Sequence, residues 1–161
     1  MEEFDFYLSD LGVTALIVQA GIESPAIDAA QERGIPVIEL KPWFDGPAGR
    51  FDLRLPNLSR PISSGPAKHN DIALVLHTSG TTSRPKMVPL TQENLCISAS
   101  NIRDWLGLTS ADRCLNIMPL FHIHGLMAAT LATLAAGGSL VCSPGFNSVT
   151  FFKWIDEFRL T

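Results

Sequence analysis

Residues Thr14 to Leu40 read TALIVQAGIESPAIDAAQERGIPVIEL. Thr14–Ala20 is an apolar run of strand length, and Gly21 ends it. Ser24 then offers a side-chain oxygen to a helix N-terminus, Pro25 fits the first turn, and Gly34 closes the helix. Ile35–Leu40 is a second apolar run. Strand, helix and strand in that order predict a parallel pair joined by a right-handed crossover. Just upstream, residues 3–11 read as a short helix with Phe4, Leu8 and Leu11 on one face.

Downstream the pattern breaks. Pro42, Gly46, Pro47, Gly49, Pro56, Pro61, Gly65 and Pro66 crowd residues 41–71. That stretch is long for a structureless connection inside a compact domain. It reads as a surface excursion with one short strand near Phe51–Leu55, separating a lobe of residues 1–40 from a lobe of residues 72–161. The pattern resumes with a buried strand, Ile72–His77, a polar loop, and a short return strand, Met87–Leu90. A helix starts at Thr91, with Leu95, Ile102 and Leu106 on one side. A strand at Cys114–Met118, a helix at Phe121–Ala136, a strand at Ser139–Cys142 and a helix at Val149–Arg159 follow. This alternation argues an α/β fold of largely parallel sheets flanked by helices. The same alternation predicts a further strand after Arg159-Leu160-Thr161, so the sequence reads as cut rather than finished.

Composition narrows the function classes. Only 17% of the 161 residues are charged, against about a quarter in typical globular domains, and the mean hydropathy is +0.19. Global disorder is excluded. Twelve basic against sixteen acidic residues, with no basic run, argue against a partner held by phosphate neutralisation, so no nucleic acid is expected. The 39 residues between Arg113 and Lys153 carry no charge at all. Pro119, Gly125, Gly137, Gly138, Pro144 and Gly145 interrupt them, and Asn116, His122 and Asn147 sit among them. They read as a buried helix followed by a buried strand, not as a membrane span. The N-terminal MEEFD is acidic and lacks an apolar core, so no signal peptide is expected and the location predicted is cytoplasmic. Cys96, Cys114 and Cys142 are odd in number and share no metal-ligand spacing. They read as three buried thiols in a reducing compartment.

The chemistry concentrates in HTSGTTSRPK, His77–Lys86. Hydroxyl side chains can donate to phosphate oxygens, and Gly80 lets backbone approach closely. Lys86 brings a mobile positive charge. Neither the Walker spacing nor the Rossmann glycine pattern is present. From composition alone, a phosphate-binding loop and a solvent-exposed polar turn are equally good readings.

The order of residues distinguishes them. T-S-G-T-T-x-x-P-K after an apolar strand resembles the signature loop of the adenylate-forming enzymes, and LVLHTSGTTSRPKMVPLTQENL is similar to their acyl-CoA synthetase branch. The TSRPK form is similar to an oxalate–CoA ligase-like subgroup. Met118–Leu126, MPLFHIHGL, resembles the PLFHxxG segment found downstream in the same branch. A weaker likeness runs through FYLSD at Phe6–Asp10, ALIV and GIPVIEL, so the resemblance spans nearly the whole chain.

The resemblance implies an incomplete portion of the large N-terminal domain of an adenylate-forming enzyme, about a third of a full member, without the C-terminal lid domain. It implies a two-step reaction: a carboxylate attacks the α-phosphate of Mg-ATP, releasing pyrophosphate, and a thiol, usually of coenzyme A (CoA), displaces AMP. By match to the motif, Thr78, Ser79, Gly80, Thr81 and Thr82 would hold the β- and γ-phosphates, with Lys86 assisting as pyrophosphate leaves. His122 matches the histidine beside the carboxylate pocket. ATP, Mg2+ and CoA are thus implied, with a small-molecule carboxylate as substrate. No metal ligand is assigned: His124 invites pairing with His122, but no third ligand is near. Two departures stand out. Met87 follows the lysine where the family has glycine, and Ser83 also replaces a common glycine. Both suggest a stiffer loop. His77 is assigned a structural role. The isolated chain is expected to make no acyl-AMP. The competing reading is a non-catalytic nucleotide-binding or interaction module, whose exposed sheet edges would support a homodimer.

Overall fold

The computed structural model describes residues 2–55, 65–78 and 85–161. The chain divides into two units, Met1–Ser64 and Gly65–Thr161.

In the first unit, α1 (Glu2–Asp10) precedes β1 (Leu16–Gln19), α2 (Pro25–Glu32), β2 (Val37–Pro42) and β3 (Phe51–Arg54). β1 and β2 are parallel, with Leu16 opposite Val37 and Gln19 opposite Leu40. The helix between them starts as its sequence dictates. Ser24 has extended backbone and its side chain accepts the Ala26 N–H, while Pro25 occupies the first turn. Gly34, at φ 65°, releases the chain toward β2. Ala29 and Ala30 are fully buried with Leu8, and Val13, Leu16, Ile35 and Val37 pack around them. Small side chains on α2 let α1 come close, and the Arg33–Asp5 ion pair ties the two helices at the surface.

Within residues 41–55 of the Pro/Gly-rich excursion the short strand expected near Phe51–Leu55 is present. β3 pairs antiparallel with β2, Pro42 opposite Phe51 and Glu39 opposite Arg54. Trp43 closes the turn: its indole N–H donates to Asp52 Oδ2 at 2.7 Å, and the Arg50 guanidinium lies 4.2 Å from its ring centre.

In the second unit, β4 (Ile72–Thr78) and β5 (Lys86–Thr91) form an antiparallel ladder. α3 (Gln92–Leu106) follows at once. Its start is a reciprocal cap: Thr91 Oγ1 accepts the Asn94 N–H and Asn94 Oδ1 accepts the Thr91 N–H. Gly107, at φ 64°, ends it. β6 (Arg113–Asn116), a π-helix (His124–Leu131), α4 (Ala132–Ala135) and β7 (Ser139–Cys142) make a parallel crossover, Arg113 opposite Ser139 and Asn116 opposite Cys142. α5 (Phe151–Phe158) comes last. α3 packs on β4, β5, the π-helix and α4, and is the common support of the hairpin and the crossover.

Four expectations change. The fold is α/β as expected, but among the described strands β2–β3 and β4–β5 are antiparallel, and β1–β2 and β6–β7 are parallel. A short loop can return a strand only antiparallel, whereas a parallel return needs a crossover. The strand at 72–77 is not buried; Ile72 is 55% exposed and Leu74–His77 are half-buried. The cysteines are not three buried thiols: Cys96 and Cys142 are exposed and Cys114 is partly covered. The helix expected over 121–136 begins at His124 and is π-helical to Leu131. Among the described residues, no helix is long and apolar enough to cross a membrane.

Candidate functional site

Strand pairing brings two of the motif residues together. Thr78 is the last residue of β4 and Lys86 the first of β5, and they face each other in the ladder. Thr78 Oγ1 lies 3.5 Å from the Lys86 carbonyl oxygen, long for a hydrogen bond. The polar loop is thus closed at its base by a hairpin. Ser79, Gly80, Thr81 and Thr82 lie outside the described residues, as do Ser83 and Arg84. Lys86 is exposed, and no described carboxylate forms an ion pair with it.

The unusual Met87 falls inside this ladder, opposite His77. It occupies strand backbone, which a residue with a side chain adopts without strain. Among described residues, the sole non-glycine with positive φ is Arg159, at 50°.

His122 is held on a different piece of the second unit, ahead of the π-helix. Its N–H donates to the Pro119 carbonyl at 3.0 Å, and its own carbonyl accepts the Leu126 N–H at 3.2 Å. The His124 N–H donates to His122 Nδ1 at 3.2 Å. An imidazole nitrogen that accepts carries no proton, so the neutral ring is protonated at Nε2. Both His122 and His124 are exposed. Among the described residues no group of three or more His, Cys, Asp or Glu is arranged to hold a metal.

Two residues of this segment explain its shape. Gly125 is buried, and a Cβ there would lie 2.6 Å from the Pro119 carbonyl oxygen and 2.8 Å from that of Met118. Only glycine lets the Met118-Pro119 backbone lie against the helix. Asn116, 4% exposed, accepts the Met118 N–H at Oδ1, 3.0 Å away, so the strand turns out of the sheet two residues earlier than its apolar pattern suggests. The Asn116 carbonyl accepts both the N–H and the hydroxyl of Ser143, at 3.2 and 3.0 Å. The sequence marks Asn116 only as a polar residue in the charge-free stretch and assigns it no role; its signal is an amide among apolar neighbours, where a buried polar group must have partners.

A groove of about 690 Å3 opens elsewhere in this unit, lined by Leu106, Cys114, Ile117, Phe151, Ile155 and Leu160 among others. Thr78, Lys86 and His122 are not among its described lining residues.

Comparison with known proteins follows the same residues. The family model described as AMP-binding enzyme matches residues 1–161. Oxalate–CoA ligase of Saccharomyces cerevisiae is 36% identical over 175 residues, covering 94% of this chain and 32% of that protein. Oxalate–CoA ligase of Arabidopsis thaliana is 38% identical over 165 residues, covering 99% and 32%. The crystal structure of apo MatB from Rhodopseudomonas palustris superposes with a TM-score of 0.74 at 26% identity, over 99% of this chain and 31% of that one. The chain spans about a third of the length of the curated relatives it matches.

Proposed function

We propose, on the premise that this chain belongs to the AMP-binding enzyme family, that it carries the ATP-phosphate loop and part of the acyl site of an ATP-dependent acid–thiol ligase. The reaction couples two displacements. A substrate carboxylate oxygen attacks the α-phosphorus of ATP, and the bond to the pyrophosphate oxygen breaks. A thiol, that of CoA, then attacks the acyl carbon and AMP leaves.

The chain's residues divide this work by their chemistry. In the first displacement negative charge accumulates on the departing pyrophosphate. Hydroxyl and backbone donors of Thr78, Ser79, Gly80, Thr81 and Thr82 hold the β- and γ-phosphates, and Lys86 neutralises the growing charge. Mg2+, bound together with ATP, would offset phosphate charge, and no described residue is assigned to hold it. His122 offers Nε2–H as a donor to the carboxylate or to the acyl-adenylate. Oxalate or a similarly short diacid is the acid proposed, since both curated relatives above act on oxalate by name. A reducing cytoplasm supplies ATP and CoA and suits three free thiols.

The observation that carries the reading is the hairpin base, where Thr78 and Lys86 face each other across the motif loop. ATP titration of the chain tests it by calorimetry. Lys86→Ala weakens ATP binding about 10- to 100-fold, the range for a hydrogen bond to a charged group. Equal affinities would refute the assignment of Lys86. Oxalate-dependent ATP–pyrophosphate exchange is expected to be absent from the 161-residue chain. Exchange by that chain would show that it holds the whole adenylation site.

A further inference from the structure

We propose that Asn116 is a positioning residue that aims His122. One buried side chain reaches both ends of the loop that bears the imidazole. At the near end, Asn116 Oδ1 accepts the Met118 N–H at 3.0 Å. At the far end, Asn116 Nδ2 lies 3.5 Å from Thr130 Oγ1, and that hydroxyl donates to the Gly125 carbonyl at 2.8 Å. Met118 and Gly125 are the residues whose backbones lie against each other. The Asn116 main chain is fixed in turn by the two bonds from Ser143. His122 therefore sits on a short arch whose near foot is bonded to the Asn116 amide and whose far foot is held by Thr130, beside the same amide, and its ring is oriented by the His124 N–H.

A π-helix makes this arrangement possible. Its wider turn brings Thr130 into line with the carbonyl five residues back. Loss of the Asn116 side chain frees the Met118 N–H and leaves Thr130 without its amide neighbour. The arch relaxes, and the His124 N–H to Nδ1 bond is the first to lengthen, because it lies between exposed residues at the top of the arch. The positioning stands on geometry alone. Its consequence for chemistry, a carboxylate partner for the aimed Nε2–H, rests on the reading of His122 proposed above.

The test is nuclear magnetic resonance of the 15N-labelled full chain near pH 8, where histidines are ordinarily neutral. His122 imidazole signals are assigned by their loss in His122→Gln. In the unmodified chain, His122 shows a protonated Nε2 and a hydrogen-bonded Nδ1. In Asn116→Ala, Nδ1 shifts to the unbonded position and the His124 amide exchanges about tenfold faster, as loss of one hydrogen bond allows. Signals of His69 and His77 stay in place. Asn116→Ser restores the His122 signals in part, since a hydroxyl at this position can accept the Met118 N–H. Should Asn116→Ala fail to fold, Thr130→Val cuts the far tie alone and shifts the same nitrogen. Unchanged His122 signals in the folded variants overturn the proposal, as does a shift of all four histidines together, which would mean general loosening. Adding oxalate with ATP separates the two readings. If Asn116→Ala moves Nδ1 but oxalate and ATP leave His122 untouched in the unmodified chain, the positioning holds and the carboxylate role of His122 falls.

Discussion

Two single positions in the motif segments show how a family pattern and a local environment divide the choice of residue. Gly125 is constrained by its neighbours, because its missing Cβ is where the Met118 and Pro119 carbonyls lie. Met87 is not so constrained, because it is paired in β5. Gly125→Ala therefore forces backbone apart and costs about 1–3 kcal/mol, the range for overpacking. Replacing Met87 by the glycine common in the family also costs, about 0.5–1 kcal/mol, because glycine gives up more chain entropy in a strand. Urea denaturation of the chain measures both, with Gly65→Ala as the control, since no described residue lies within 4 Å of its added carbon. A Met87→Gly variant as stable as the parent or more so would show that the methionine strains the hairpin. The sequence revealed that both positions mattered, through the motifs. It could not reveal why, because the reason at 125 is a through-space approach to Pro119 and the reason at 87 is a cross-strand partner.

At the scale of elements, most of the strand and helix order was legible, since Ser24, Thr91, Gly34 and Gly107 mark their boundaries by local chemistry. The π-helix was not legible. Its sequence, HGLMAATL, is apolar almost all round, so it shows no period to distinguish 3.6 residues per turn from a wider coil. The hydroxyl bond from Thr130 to Gly125 becomes visible only in three dimensions. The turn joining α3 to β6 carries its own prediction. Asp112 Oδ2 accepts the Thr109 N–H at 2.6 Å and the Thr109 hydroxyl at 2.9 Å, and Oδ1 accepts the Thr161 hydroxyl at 3.0 Å. The Thr109 N–H foremost, then the two hydroxyls, hold the carboxyl below its ordinary value near 3.8. A lowered folded-state value means the contribution is complete above that ordinary value and is lost as pH falls through the lowered one. The gap in melting temperature between the parent and Asp112→Asn should thus be steady from neutral pH down to about 5 and close progressively below 4. A gap that persists unchanged into that acid range would show that ionisation of Asp112 is not what stabilises the turn.

At the scale of the whole molecule, the misread feature was cover. An apolar pattern says that a face is built to be covered, not by what. The charge-free stretch reads as interior, yet Phe121 is 82% exposed, Val149 86% and Phe152 72%, and Trp105 on α3 is 89% exposed. Cys96 and Cys142 are exposed for the same reason: no described residue covers them. Scattered apolar side chains are normal on a protein surface, but large aromatics exposed to this degree favour association. β6–β7 adds to this, because a two-stranded parallel sheet is seldom stable without more cover than two strands supply. The chain is therefore expected to self-associate. Sedimentation velocity between about 1 and 100 μM, concentrations at which exposed apolar surface promotes aggregation, should give a weight-average mass that rises above the 17.5 kDa of one copy. Phe121→Ser and Phe152→Ser, both at exposed positions, should lower that rise while leaving the melting temperature nearly unchanged, since surface substitutions usually act within about 0.5 kcal/mol. A mass constant at one copy over the whole range would overturn the prediction, and would mean that the exposed aromatics are too dispersed to form an adhesive face. A rise that both variants leave intact would move the contact to the strand edges instead, where main-chain pairing and not side-chain burial joins the copies.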